Sequence, residues 1–385
     1  MTFLHVVGDA TKVSALLAMP PPAGVLNEGV MRNDLMTKGT IAGTPNLLFL
    51  GAGASKIYGK LLMGEFVHRF RHPEVKKGYI RAIGSPRSPL LEAICDKQED
   101  LEFLIEELDA LSSRDYLERQ SFDPTPPGMG VASQQWRWPN FGELATEARK
   151  LLIELKRGVY LEYRSIAFPK KTEILAKPIR ILQSTAHPTV VFTTNYDPAV
   201  EKFCAAQHLR LTDGFVHDEG TQEYIWNREA FDRFAYSDNS VVLFKLHGST
   251  NWHKEGTRII KGPSTYDVGD PDYQNVMIFP ATRKVAIDEP FFTAYDYLEQ
   301  CLDKAESCLV IGYSFRDYDT LMRFKSAKLS NKRLKIVVLD PSADTICDQN
   351  LRAHGIKAYP IPHALGEEQE SQYLPLITSG IGGRG

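Results

Sequence analysis

Asn195, Asp197 and His247 stand where side-chain chemistry is most useful, at the ends of apolar β-type runs. Thr193-Thr194-Asn195-Tyr196-Asp197 follows Val190-Val191-Phe192, and His247-Gly248-Ser249 follows Val241-Val242-Leu243-Phe244-Lys245-Leu246. A third run, Asn46-Leu47-Leu48-Phe49-Leu50, leads into Gly51-Ala52-Gly53-Ala54-Ser55. Small side chains in that turn let backbone N–H groups approach a diphosphate, backed by the positive end of a following helix. An imidazole titrates near neutrality, as a general base should, and can take a proton from a sugar hydroxyl or from an attacking water. Gly248 is expected to leave one side of His247 open to a ligand. Gly312 and Ser314 form a second glycine turn facing the same nucleotide. Asp340, ending the last apolar run, can accept from the ribose hydroxyls of an adenosine.

Each feature has a plainer reading. Asn195 or Asp197 could simply cap a helix starting at Pro198. Asp340-Pro341 is also an ordinary turn, and Arg316-Asp317-Tyr318-Asp319 reads as a helix start. A lone histidine is often structural, and His187, His217 and His253 are read that way. The stretch Gly53 to Lys60 comes near a phosphate loop. It has, however, five residues between its glycines where four are needed, and Leu61 replaces the Ser or Thr that would hold Mg²⁺, which argues against triphosphate hydrolysis.

Convergence of these residues requires strands that run the same way. The run at Asn46 to Leu50 is uninterrupted, as expected of a parallel strand covered on both faces. Thr189 to Thr194, Val241 to Leu246, Met277 to Phe279, Cys308 to Ile311 and Lys335 to Leu339 are further candidates. Leu101, Leu104, Ile105, Leu108 and Leu111 recur at helical spacing, as do Leu151, Leu152, Leu155 and Val159, and a helix is expected from about Phe291 to Lys304. The expected fold class is α/β, a Rossmann-like, mostly parallel sheet with a large helical insertion at about 56–186. Residues 1–43 read as an N-terminal extension, 44–365 as the nucleotide-binding domain and 366–385 as a C-terminal tail that ends in the Gly-rich stretch Gly380 to Gly385. The Pro124 to Pro139 stretch reads as a loop anchored by Trp136 and Trp138.

The motifs, taken in order, resemble the sirtuin superfamily, which carries a GAG-(A/I)-S turn, a T-Q-N-(I/V)-D segment, a catalytic H-G and a later G-T-S turn. The forms here, Thr-Asn-Tyr-Asp at 194–197, Leu-His-Gly-Ser at 246–249 and Ile-Gly-Tyr-Ser at 311–314, are similar to those of bacterial sirtuin-like proteins of anti-phage defence. The resemblance implies NAD⁺ as substrate. Asn195 would contact the nicotinamide ribose and a water near its anomeric carbon, and His247 would act as base. Gly51, Ala52, Gly53, Ala54, Ser55, Thr194, Asp197, Gly312, Ser314 and Asp340 would hold the dinucleotide. The family's G-I-P-D-F-R loop is missing, with Lys56 to Met63 in its place. Deacylating members insert a four-cysteine zinc module after the H-G strand. Here no cysteine lies between Cys204 and Cys301, so no metal is expected. The expected activity is hydrolysis of NAD⁺ to nicotinamide and ADP-ribose. An NAD-dependent protein deacylase and a non-enzymatic NAD or ADP-ribose sensor remain as alternatives.

Composition fits a globular protein: 385 residues, 43% hydrophobic and 24% charged, with a formal charge of −3. No basic footprint suggests direct nucleic-acid binding. The 5 cysteines are scattered, which suits a reduced, cytoplasmic protein, and no signal peptide or membrane span is read. Arg69 to Arg87 is basic and Glu92 to Asp109 acidic, either as solvated faces or as contacts between subunits. A free NAD⁺ hydrolase would exhaust the cell, so restraint by assembly is expected. Stand-alone proteins of this type and length resemble those paired with a ring-forming HerA-like ATPase. A homo-oligomer docked on such a partner is therefore expected.

Overall fold

Alternating faces of short apolar strands set the layering. The computed structural model describes residues 45–71, 101–112, 141–166, 169–183, 189–232, 240–262, 274–279 and 288–382. The N-terminal extension, the Trp136–Trp138 loop, His187 and most of the Arg69–Arg87 block lie outside the described residues. The chain divides into Met1–Lys38 and Gly39–Gly385, and only the second unit is described.

The strands are β1 Asn46–Leu50, β2 Thr189–Thr193, β3 Arg210–Thr212, β4 Phe215–Asp218, β5 Glu223–Trp226, β6 Ser240–Lys245, β7 Gly248–Glu255, β8 Arg258–Lys261, β9 Gln274–Met277, β10 Ser307–Ile311, β11 Lys335–Leu339 and β12 Tyr359–Ile361. Seven of them form one sheet in the order β12-β11-β10-β1-β2-β6-β3, with every neighbouring pair parallel. The α/β, Rossmann-like, parallel architecture expected from the sequence is what the chain adopts.

In β1, Leu47 and Phe49 enter one apolar layer, while Leu48 and Leu50 enter the other. Strands β2, β10 and β11 divide their residues in the same way. The first layer is closed by the helices Phe291–Lys304 and Tyr318–Ser330. The second is closed by Ala176–Gln183, Ala199–Ala206 and Glu370–Gly382. Each fully buried Leu, Val or Phe contributes about 1.5–3 kcal/mol relative to exposure, so a polar substitution in β1 would disrupt the layer its side chain enters. The segment 366–385, expected to be a tail, holds the helix Glu370–Gly382. Its Tyr373, Ile377 and Ile381 are buried against the sheet, and Gly380 lies close on Val337.

The helical insertion is present at Met63–Arg71, Leu101–Ser112 and Phe141–Tyr163. Its leucine stripes form a third core that also takes in Tyr196 and Met277.

A second, antiparallel sheet of five strands, β4-β5-β8-β7-β9, follows β3. Among these strands the sequence pattern points only to Met277 to Phe279, of which Met277 ends β9. The hairpin was nonetheless marked: Gly256 sits at φ +57 between β7 and β8, as a tight two-residue connection demands. Trp252 is buried against Phe215 and Trp226.

Candidate functional site

The strand order reverses between β1 and β10. From β1 the chain builds outward through β2 and β6, then returns to the other side of β1 for β10 and β11. The crevice beyond the carboxyl ends at such a switch point is where open α/β sheets bind ligands. All the candidate residues follow the carboxyl ends of β1, β2, β6, β10 or β11.

The two glycine turns meet there. Gly51 N–H donates to Ile311 O and Gly53 N–H to Gly312 O, both at 2.9 Å, and Ala54 N–H returns to Gly51 O at 3.0 Å. These three donors are therefore used within the fold. The helix expected to offer a positive end is one turn long, Ala52–Ser55, and passes into the 3₁₀ segment Lys56–Tyr58. Its dipole is correspondingly small. Ser314 is held by its carbonyl, which accepts from Asn350 Nδ2 at 2.7 Å.

Asn195 is clamped from both sides. Its Nδ2 donates to Gly51 O and to Ser55 Oγ, each at 2.8 Å, and its backbone N–H donates to Thr193 Oγ1 at 3.0 Å. Ser55 Oγ in turn donates to Asp197 Oδ2 at 2.6 Å. With both amide hydrogens engaged, the free role left to this side chain is acceptance at Oδ1. Thr194 N–H donates to Leu50 O at 3.1 Å, tying the loop to β1.

Asp197 is buried, and its Oδ1 accepts Ala199 N–H at 3.0 Å. The helix-starting role weighed for it is thus realised. Burial pushes its carboxyl pKa upward, against the pull of the Lys245 charge and of hydrogen bonds from Ser55 and Ala199. Asp340 likewise accepts Ser342 N–H at 2.8 Å in a local turn, and partial burial raises its pKa against that bond.

Two residues overlooked in the sequence organise this loop. Lys245, with a side chain 1% exposed, donates to Asp197 O at 2.8 Å, Ser249 Oγ at 2.8 Å, Glu201 Oε1 at 3.0 Å and Tyr196 O at 3.3 Å. Its signal was a lysine inside an apolar strand, a position that demands partners. Tyr196 donates its hydroxyl to Ile278 O at 2.6 Å and packs edge-on against Tyr163, ring centres 5.9 Å apart. The loop carrying Asn195 is thereby fastened to the helical insertion.

His247 follows β6 and is buried, with its carbonyl accepting Ile278 N–H at 2.9 Å. The expectation that Gly248 opens a side for ligand does not hold. At φ +78, a Cβ on Gly248 would lie 2.0 Å from Val276 O, so the glycine serves close packing of β9. The imidazole instead meets a carboxylate, with Nε2 3.3 Å from Asp317 Oδ2. Asp317 was read only as part of a helix start, and its position shortly after the Gly312 turn was the available clue.

Among the described residues no group of three or more His, Cys, Asp or Glu is placed to hold a metal ion, and no helix is long and apolar enough to cross a membrane.

Comparison with known proteins yields no match among curated proteins. Among solved structures, a Sir2 homologue–NAD complex is 11% identical and covers 87% of this chain and 90% of its own, at a TM-score of 0.39. A structure described as Sir2 bound to acetylated peptide is 10% identical and covers 86% and 92%, at 0.35. A family model for the SIR2-like domain matches residues 189–359, which takes in Asn195, Asp197, His247, Gly312, Ser314, Asp317 and Asp340. From β2 to the start of β12, the chain is thus similar to the SIR2-like domain.

Proposed function

We propose that the protein is an NAD⁺ glycohydrolase, releasing nicotinamide and ADP-ribose. The observation that carries this reading is the clamp on Asn195. Its amide hydrogens are fixed by Gly51 O and Ser55 Oγ at the switch-point end of the sheet, so Oδ1 is held in one orientation as an acceptor for a ribose hydroxyl or a water. The SIR2-like match over residues 189–359, which includes Asn195 but not Gly51 or Ser55, supports the choice of a nicotinamide dinucleotide.

In the reaction the bond between the ribose anomeric carbon and the pyridinium nitrogen breaks. Its electron pair stays with nicotinamide, which leaves neutral. A water oxygen bonds to the anomeric carbon, and the released proton goes to His247. The leaving group needs no acid, so the protein's tasks are to orient the ribose, stabilise the developing positive centre and position one water. Asn195 orients, His247 accepts the proton, and the glycine turns with Ser314 and Asp340 hold the dinucleotide.

The same reading assigns the protein to anti-phage defence in the cytoplasm, as a homo-oligomer restrained by a HerA-like ATPase. That part rests on the resemblance of the 194–197, 246–249 and 311–314 motifs to such proteins. Incubating the purified chain with NAD⁺, with and without such an ATPase, and following free nicotinamide tests it. Turnover of acyl-lysine peptide with no NAD⁺ hydrolysis would replace the reading by deacylation. Binding of NAD⁺ without turnover of either would replace it by sensing.

A further inference from the structure

We propose that Asp317 is the positioning residue for His247, holding its Nε2 protonated and its ring in one orientation. The proposal rests on the reading of His247 as general base. The two oxygens of Asp317 have separate duties. Oδ1 accepts Asp319 N–H at 3.1 Å and Thr320 N–H at 3.3 Å, capping the Tyr318–Ser330 helix. Ser, Thr or Asn would cap as well, so the cap does not explain a carboxylate. The second oxygen, Oδ2, is the one 3.3 Å from His247 Nε2, in a pair whose side chains are 8% and 7% exposed.

Burial of an ionised carboxylate is costly unless it is compensated. Here the capped N–H groups and the positive end of a 13-residue helix favour the charge. Asp317 is therefore a fixed acceptor. An imidazole facing a fixed acceptor carries its proton on the facing nitrogen, which leaves the lone pair on Nδ1.

The segment holding Asp317 is itself anchored. Phe315 adopts φ +58, a strained backbone for a bulky residue. Its buried ring offsets the strain by packing between Tyr313 and Phe324, ring centres 5.0 and 5.1 Å away. Gly312 and Asp317 thus bracket a plugged turn that both meets the Gly51 turn and presents the carboxylate.

Among the described residues, three elements bring titratable groups near the pair. The Tyr196 ring lies 6.4 Å from His247. Tyr295, on the Phe291–Lys304 helix, has its hydroxyl pKa pushed up by burial first and by the Asp317 charge second. Asp319 and Arg323 share Asp317's helix, and the Arg323 guanidinium lies over the Tyr295 ring at 4.5 Å.

The test uses Asp317→Asn and Asp317→Ser, both of which keep a capping oxygen and lose the carboxylate. Nitrogen-15 NMR of histidine-labelled protein follows the His247 ring, assigned by its loss in His247→Gln. In both variants the His247 pKa is expected to fall by about one unit or more, because an opposite charge no longer favours the imidazolium. The acid limb of kcat/KM should move to lower pH by the same amount. In both variants kcat should fall about tenfold or more while KM stays near that of the parent, since a weaker and less oriented base slows proton transfer. A purely capping Asp317 would move none of the ring titration. An unchanged His247 titration in both variants overturns the proposal, whatever the activity. So does parental kcat in both variants when His247→Ala is inactive. A parent protein that releases no nicotinamide overturns the glycohydrolase reading instead, and the titration then decides the pairing alone.

Discussion

Gly51 and Gly312 face one another across the switch point so closely that neither can carry a methyl group. A Cβ on Gly51 would lie 2.5 Å from Gly312 O, and one on Gly312 would lie 2.2 Å from Ala54 N. The obstructing atoms are backbone and cannot swing aside. The glycines are therefore required by the meeting of β1 and β10, whether or not a phosphate also uses the turns.

Gly312→Ala should consequently be a folding defect. With its φ of +66 and a backbone clash, a loss above about 4 kcal/mol is expected, in the range that marks a specific structural cause. Gly64→Ala is the control. Gly64 lies in the Met63–Arg71 helix with nothing within 4 Å of its would-be Cβ, so a gain of about 0.5–1 kcal/mol is expected. Thermal unfolding of the two variants beside the parent checks both.

Asn195→Ala and His247→Ala should each lower NAD⁺ turnover by about 10²-fold or more. They should differ in stability. Asn195→Ala gives up the bonds to Gly51 O and Ser55 Oγ, at a cost of about 1–3 kcal/mol. Nicotinamide release measured at a temperature where each variant is shown to be folded separates chemistry from stability. Parental turnover in either folded variant would remove it from the catalytic set.

Lys245→Met should destabilise by about 3–5 kcal/mol, the usual cost of leaving a buried ionic partner uncompensated. Glu201, Ser249 and the carbonyls of Tyr196 and Asp197 would lose their shared donor. Because those carbonyls flank the Asn195 loop, turnover should fall as well. Denaturant unfolding gives the first effect. A variant as stable as the parent would show that the lysine is dispensable.

Ser55→Ala should destabilise in a pH-dependent way. Burial holds the folded pKa of Asp197 above its unfolded value, and the Ser55 hydroxyl pulls it back down. Removing the hydroxyl raises the folded pKa further. A group with a raised folded pKa contributes stability below its unfolded pKa and loses that contribution as pH rises through the folded pKa. The penalty of Ser55→Ala should therefore have a pH-independent part, from the acceptor lost by Asn195 Nδ2, and a further part that grows from the ordinary carboxylate range toward neutrality. Urea unfolding of parent and variant across that pH range measures it. A penalty independent of pH would mean that Asp197 does not titrate with the Ser55 bond.

The parallel sheet was legible because β1, β2, β6, β10 and β11 are uninterrupted apolar runs, a pattern that two-sided burial imposes. The antiparallel sheet was not, because β4, β5 and β8 are four residues each and only partly buried, which leaves too short a pattern to read. At the candidate site, Asn195 and His247 were visible as polar residues closing apolar strands. Asp317 was hidden by its own cap: a helix start accounts for an aspartate so completely that nothing local signals its second oxygen. Lys245 went unread because its four partners come from three segments that only folding brings together.

The central position of β1 also governs how the chain is made. As synthesis proceeds from the N-terminus, β1 can pair with β2 while most of the protein is still to come, but its other edge has no partner until β10 has left the ribosome. The helix that covers β11 is later still, at Glu370–Gly382. A nascent chain that ends before Ile311 therefore presents a bare apolar strand edge, the kind of surface that invites misassembly. Nor can it hold the Gly51 turn, whose first N–H donates to Ile311. Truncated products of translation are thus incomplete at the nucleotide crevice, and only a nearly finished chain can close it.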